Sequence, residues 1–115
     1  MKRLSAPLSL TLLLVAGAAN AAGDADAGKT KAAACAACHG PDGNAGIDPQ
    51  YPRLAGQYRD YIAKALHEYK AGDRKNPIMA GFAGTLSDAD IEDLAAYFSS
   101  LEGSKLTDLH GKVSE

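Results

Sequence analysis

The sequence predicts an all-α fold, and three observations carry that prediction. Two stretches, 57–71 and 87–101, place apolar residues at the spacing of an amphipathic helix. An alanine-rich run at 27–37 adds a third segment of high helix propensity. No run of alternating β-branched residues occurs in the 115 residues. We therefore expect about three to five helices joined by long loops in one small domain.

The first helix is expected to begin near residues 23–26, where Asp24 or Asp26 can cap it. It runs through the alanine-rich segment to His39. The Gly-Pro-Asp-Gly-Asn sequence at 40–44 consists of residues that are typical of turns, so the helix is predicted to stop directly after His39.

The second helix is predicted from position 57 to position 71. Its apolar and aromatic side chains follow the helical repeat and are expected in the core: Tyr58, Tyr61, Ile62, Ala65, Leu66 and Tyr69. Gly72 lies where a left-handed C-terminal cap belongs. The segment 73–86 contains one proline and two glycines and is predicted to be a loop.

The last helix is predicted to open with a capping box, in which Ser87 is followed three residues later by Asp90. Gly103 is expected to end it. The remaining polar tail, 104–115, is compatible with a frayed short helix or with disorder.

The N-terminus has the layout of a cleaved signal peptide over residues 1–21. Lys2 and Arg3 precede a short apolar stretch, and small residues follow with a cleavage site after Ala21 or Ala22. A membrane anchor is the alternative, but the stretch is shorter than the ~20 residues a span needs. We therefore expect a soluble periplasmic protein whose main domain covers 22–103. Cleavage would change the formal net charge from −2 to −4, and no basic stripe for nucleic acid is present.

The Cys35-Ala-Ala-Cys38-His39 sequence is the attachment signature for a c-type haem. Each cysteine can form one thioether bond to a haem vinyl group, and His39 can bind the iron. The alternatives are a disulfide, a thioredoxin-like redox pair and a zinc site. A disulfide that closes a four-residue ring would stabilise the chain little. A thioredoxin-like redox pair usually lies beside a βαβ pattern, and this sequence has no strand pattern. A zinc site would need four ligands, and only His67 and His110 remain as further histidines.

Met79 is the candidate for the second iron ligand, since it is the only methionine left after signal cleavage. His/Met ligation raises the reduction potential relative to two nitrogen ligands. The alternative is a methionine that fills a gap in the core. His67 and His110 are rival ligands, but His67 falls at the edge of an apolar helix face, where we expect a half-exposed surface position. His110 lies in the polar tail.

Other residues are candidates for supporting roles. The Pro52 carbonyl could accept a hydrogen bond from the second ring nitrogen of His39, or Pro52 could simply shape its loop. Arg53, Arg59 and Lys75 could each pair with a haem propionate, or remain solvated surface charges.

Taken together, these motifs resemble those of the class I cytochromes c, and more narrowly those of the cytochrome c4 and c553 branch. The matching segments are 34–40, 42–44, 51–57, 75–79 and 86–101. The resemblance implies a small class I cytochrome c fold wrapped around one covalent haem c. It places Gly28 where the first and last helices cross near Tyr97. It also implies that Pro52 accepts from the axial histidine and that Met79 is the axial methionine. Cytochromes c4 carry two such domains, whereas this chain carries one haem signature.

The expected function is single-electron transfer rather than catalysis, since no open iron coordination site and no acid/base constellation is visible. Redox donors and acceptors are the expected partners, membrane respiratory complexes among them. The alternatives are a haem subunit of a larger dehydrogenase or oxidase complex, and a haem sensor or enzyme.

Overall fold

The computed structural model describes residues 22–44 and 48–106. Within them the chain forms five helices and no strand: α1 (Ala25–Lys31), α2 (Ala33–His39), α3 (Arg59–Ala71), α4 (Pro77–Ala83) and α5 (Asp88–Ser100). The all-α prediction is confirmed. The predicted signal peptide, 1–21, and the tail from residue 107, which includes His110, lie outside the described residues. In the described part of the chain no helix is both long and apolar enough to cross a membrane.

The first predicted helix is present as two consecutive short helices. Asp24 caps α1, where its side chain accepts hydrogen bonds from the backbone N–H groups of Asp26 and Ala27. Ala32 separates α1 from α2, yet its N–H donates to Gly28 O at 2.8 Å, so the axis continues with little interruption. The helix ends after His39, as predicted.

The first and last helices cross at Gly28, where the resemblance to class I cytochromes c places the contact. A Cβ atom on Gly28 would lie 2.6 Å from the carbonyl carbon of Asp93, closer still to its oxygen, and 2.8 Å from Tyr97 Cβ. Only a residue without a side chain allows α1 and α5 to approach this closely. Lys31 Nζ reinforces the crossing by pairing with Asp93 Oδ2 at 2.9 Å.

The core lies where α3 and the N-terminal helices pack on α5. Seven buried side chains form one cluster: Ala32, Ile62, Ala63, Ile91, Leu94, Ala95 and Phe98. Most of them come from one face of α5, which makes this helix the centre of the fold.

The loop prediction for 73–86 is wrong because the segment contains α4. Asn76 caps this helix, with Oδ1 accepting from Ile78 N at 3.0 Å and from Met79 N at 3.1 Å. Pro77 occupies the first turn, where its missing N–H has no helical partner to lose. These two start signals outweigh the helix-weakening effect of Gly81.

The capping box of α5 is confirmed. Asp90 N donates to Ser87 Oγ at 3.1 Å, and Ser87 N donates to Asp90 Oδ2 at 2.9 Å. The helix ends at Ser100, earlier than the predicted stop at Gly103, because Leu101 is already extended.

The left-handed cap predicted after α3 is also confirmed, since Gly72 has a φ of 83° and its N–H bonds back to the helix.

Candidate haem site

The attachment signature lies on α2. Cys35 and Cys38 are half-buried free thiols, and their three-residue spacing places both on one side of the helix. His39 is the last residue of the helix and is 5% exposed. Burial raises the pKa of the Cys35 thiol, and the nearby Cys38 raises it further.

The His39 imidazole is oriented by the chain itself. Its Nδ1 atom lies 2.7 Å from the carbonyl oxygen of Pro52. A carbonyl can only accept, so Nδ1 carries the hydrogen and donates it, which leaves the lone pair of Nε2 for a metal. The ring of Tyr51 meets the imidazole edge-on with centroids 6.3 Å apart. The structure therefore brings together His39 and Pro52, which are thirteen positions apart.

The loop that carries Pro52 is held by backbone hydrogen bonds. Leu54 N and Ala55 N both donate to Gly43 O, at 2.7 and 3.1 Å. Gly56 N donates to Phe98 O at 2.8 Å, which ties the same loop to α5. The segment that carries the Pro52 carbonyl is thus held by hydrogen bonds to Gly43, earlier in the chain, and to Phe98, later in the chain.

Met79 is the third residue of α4 and is half-buried. Its neighbours Ile78 and Phe82 are 53% and 47% exposed. Tyr58, the residue before α3, and Tyr61, on α3, are also exposed, so the prediction that these two tyrosines belong to the core is wrong. The buried residues of α3 that join the core cluster are Ile62 and Ala63.

The donor set of the attachment signature is that of a covalent haem site. It offers two thiols one helical turn apart and an imidazole whose Nε2 is left for iron. The exposed apolar side chains of α3 and α4 are what a flat apolar macrocycle would cover. The residues present fit the group. In the two described segments no group of three His, Cys, Asp or Glu side chains is placed to hold a metal ion.

The basic residues proposed as propionate partners all contact protein groups. Arg53 Nε donates to Asn44 O at 2.8 Å, and Lys75 Nζ donates to Gly72 O at 2.6 Å. Arg59 pairs with Glu92 at 2.6 Å across α3 and α5. The Arg59 contact joins two helices of the core, which is a structural role.

The rival ligand His67 lies on the surface of α3. Its side chain is 43% exposed, and its Nδ1 atom is 3.9 Å from Asp88 Oδ1. The half-exposed surface position predicted from the sequence is confirmed.

Sequence reasoning missed two polar residues that the structure singles out. Asn44 is 5% exposed and bonds to the segment after α5. Arg74 donates to the hydroxyl groups of Tyr69 and Tyr61, at 3.0 and 3.4 Å, with its guanidinium over both rings. An asparagine in a turn gives no sign of burial, so Asn44 could not have been found from its local pattern.

Comparison with known proteins places this geometry among haem proteins. A family model described as Cytochrome c matches residues 25–102. Cytochrome c4 of Pseudomonas aeruginosa is 51% identical over 100 residues, which cover 87% of this chain and 49% of that protein. Cytochrome c-554(548) of Halomonas halodenitrificans is 48% identical over 84 residues, which cover 70% of this chain and 100% of that protein. The chain thus spans about half the length of the cytochromes c4 it matches.

Two further similarities complete the comparison. A "Thiosulfate dehydrogenase electron acceptor" of Thiomonas intermedia is 39% identical over 104 residues, which cover 90% of this chain and 46% of that protein. The crystal structure of reduced cytochrome c4 from Pseudomonas stutzeri superimposes with a TM-score of 0.66 at 50% identity. That superposition covers 72% of this chain and 48% of the other.

Proposed function

The chain belongs to the cytochrome c family as a class I, cytochrome c4-like domain with covalent haem c, and from that premise we propose that it carries single electrons in the periplasm. The observation that carries the proposal is the hydrogen bond from His39 Nδ1 to the Pro52 carbonyl at the end of the Cys-x-x-Cys-His helix. It holds the imidazole of an axial ligand in one tautomer and one orientation.

Haem c, when bound, supplies an iron that gains and loses one electron. Cys35 and Cys38 would hold it through two thioether bonds, and His39 Nε2 would bind the iron. The Met79 thioether would be the second iron ligand, a pairing that favours the reduced state relative to a second imidazole. Because His39 is restrained by Pro52, its position changes little with oxidation state, and the reorganisation that accompanies electron transfer stays small.

The side chains around Met79 would exclude water from the iron of a bound haem. Ile78 and Phe82 lie on the same short helix as Met79 and offer apolar surface that the described polypeptide leaves uncovered. An apolar environment lowers the local dielectric and, with the axial ligands, tunes the reduction potential.

The periplasmic location is supported by the N-terminal signal layout, with a cleavage site after Ala21 or Ala22. Asp24, which caps α1 and whose N–H bonds to Asp93 Oδ1 at 2.7 Å, follows Ala21 by three residues.

The ligand assignment is tested by optical spectroscopy of the oxidised, haem-loaded protein. We expect a methionine–iron charge-transfer band that persists in His67→Ala and is lost in Met79→Ala. His67→Ala is the matched control, since it removes the rival ligand and leaves Met79 in place. A band that survives Met79→Ala, or a high-spin wild-type spectrum with ready carbon monoxide binding, would contradict the carrier and favour a sensor or enzyme.

A second candidate function is that of a haem partner to a dehydrogenase that oxidises thiosulfate. The observation that favours it is the similarity to the Thiomonas intermedia protein named as an electron acceptor of thiosulfate dehydrogenase. The test mixes the oxidised protein with a thiosulfate dehydrogenase and thiosulfate, and follows haem reduction. Reduction only when enzyme and thiosulfate are both present supports this partner, and no reduction with an active enzyme rejects it.

A further inference from the structure

Asn44 is a buried amide in a small domain, and both ends of its side chain are bonded. Its Nδ2 donates to Gly103 O at 3.2 Å, and its Oδ1 accepts from Lys105 N at 3.0 Å. Burying an amide is costly unless such bonds are made, so this side chain is matched to the segment that follows α5. We call that segment, residues 103–106, the C-terminal strap.

The strap lies directly on the loop after Pro52. Ser104 Oγ donates to Ala55 O at 2.6 Å and accepts from Leu106 N at 3.1 Å. A Cβ atom on Gly56 would be 2.7 Å from Ser104 Oγ and closer still to Ser104 Cβ, so there is no room between strap and loop. The first residues of the predicted polar tail therefore pack on the domain.

Asn44 also contacts the ligand loop through its own backbone. Its carbonyl oxygen accepts from Arg53 Nε at 2.8 Å, and Arg53 directly follows Pro52. Asn44 therefore links two segments. Its side chain bonds to the strap, and its backbone carbonyl bonds to the loop whose Pro52 carbonyl holds His39.

We propose that Asn44 is a positioning residue which, by clamping the C-terminal strap over the loop, keeps the Pro52 carbonyl on His39 Nδ1 and thereby sets the reduction potential of the haem. The inference rests on His39 being an axial ligand, as proposed above. A hydrogen bond from Nδ1 makes the imidazole a stronger donor and favours the oxidised iron. Weakening this bond therefore raises the reduction potential.

The test is Asn44→Ala in the full-length, haem-loaded protein. We expect the ratio of reduced to oxidised protein at a fixed potential to rise by up to about ten-fold, which equals the lower end of the effects of outer-shell partners on metal affinity and activity. For a one-electron couple this equals an upward shift of up to about 59 mV. The His39 Nδ1 hydrogen, followed by NMR in the reduced protein, should exchange with solvent faster than in wild type.

Two further variants separate positioning from simple stability. Ser104→Ala removes the hydroxyl bonded to Ala55 at an exposed position, so it should fold and shift the potential less, in the same direction. Ser87→Ala is the matched control, since it removes the cap of α5 and lowers stability without changing the strap or the loop. It should lower the melting temperature and leave the potential unchanged.

An unchanged potential and an unchanged His39 Nδ1 exchange rate in Ser104→Ala and in any folded Asn44→Ala would overturn the inference. If Asn44→Ala does not fold, the potential and the His39 Nδ1 exchange rate of Ser104→Ala test the inference in its place. The exchange rate of the His39 hydrogen does not depend on Met79. Loss of the methionine band therefore rejects the proposed ligand set, whereas an unmoved exchange rate rejects the role of Asn44.

Discussion

The helix crossing at Gly28 provides a sharp quantitative test of the fold. In Gly28→Ala the new Cβ would lie 2.6 Å from the carbonyl carbon of Asp93 and 2.8 Å from Tyr97 Cβ. Carbon atoms pack at about 3.5 Å or more, so α1 and α5 would have to move apart by about 1 Å. Neither neighbour is the end of a flexible chain that could swing away.

The expected loss of stability follows from two opposing effects. Overpacking of this kind costs about 1–3 kcal/mol, and the rigid backbone contact places Gly28→Ala at the upper end. The higher helix propensity of alanine offsets this loss by about 1 kcal/mol of stability. The net loss of about 2 kcal/mol corresponds to a fall in melting temperature of about 8–16 °C for a domain of this size.

The assay is thermal unfolding of the haem-loaded protein, followed by far-UV circular dichroism. Thr30→Ala is the matched control, since Thr30 lies exposed on the same helix, two residues away. A melting temperature for Gly28→Ala equal to that of Thr30→Ala would refute the close crossing of α1 and α5.

Two further predictions follow from local contacts. Asn76→Ala removes the cap of α4 and should destabilise that helix by about 1 kcal/mol. On heating, the proposed Met79–iron band should therefore disappear at a lower temperature than in wild type. Equal midpoint temperatures for the loss of the band would contradict this prediction. The N–H of Asp24 and then the Lys31 ammonium lower the pKa of the Asp93 carboxyl below its unfolded value of about 3.9. This stabilisation is present above about pH 4 and lost as the pH falls through the folded-state pKa. Asp93→Asn should therefore flatten the dependence of the urea midpoint on pH below about pH 4, and an unchanged slope would contradict the contact.

Elements with local causes were predictable. The capping box at Ser87 and the left-handed Gly72 depend on residues within one helical turn, and both are present. The loop prediction for 73–86 is wrong although the start signals of α4, Asn76 and Pro77, are equally local, because the glycines that follow favour a loop. Local patterns compete with one another, and here the cap and proline outweighed the glycines.

Features with distant causes were not predictable from local patterns. The exposure of Tyr61 depends on which face of α3 meets α5, and helical periodicity cannot choose between two adjacent apolar faces. The burial of Asn44 depends on a segment about sixty positions later in the chain. Its turn setting shows only that its side chain can bond to nearby backbone.

The amino-acid sequence was sufficient for the chemistry of the haem attachment, because two thiols and an imidazole within five consecutive residues are held together by covalent geometry and one turn of helix. The surroundings of the imidazole depended on the folded chain. The 2.7 Å contact of His39 with Pro52, and the clamp of Asn44 on the strap, join residues whose separation along the chain carries no information about distance. Packing of α1 and α3 on α5 and the loop bonds to Gly43 and Phe98 bring them together.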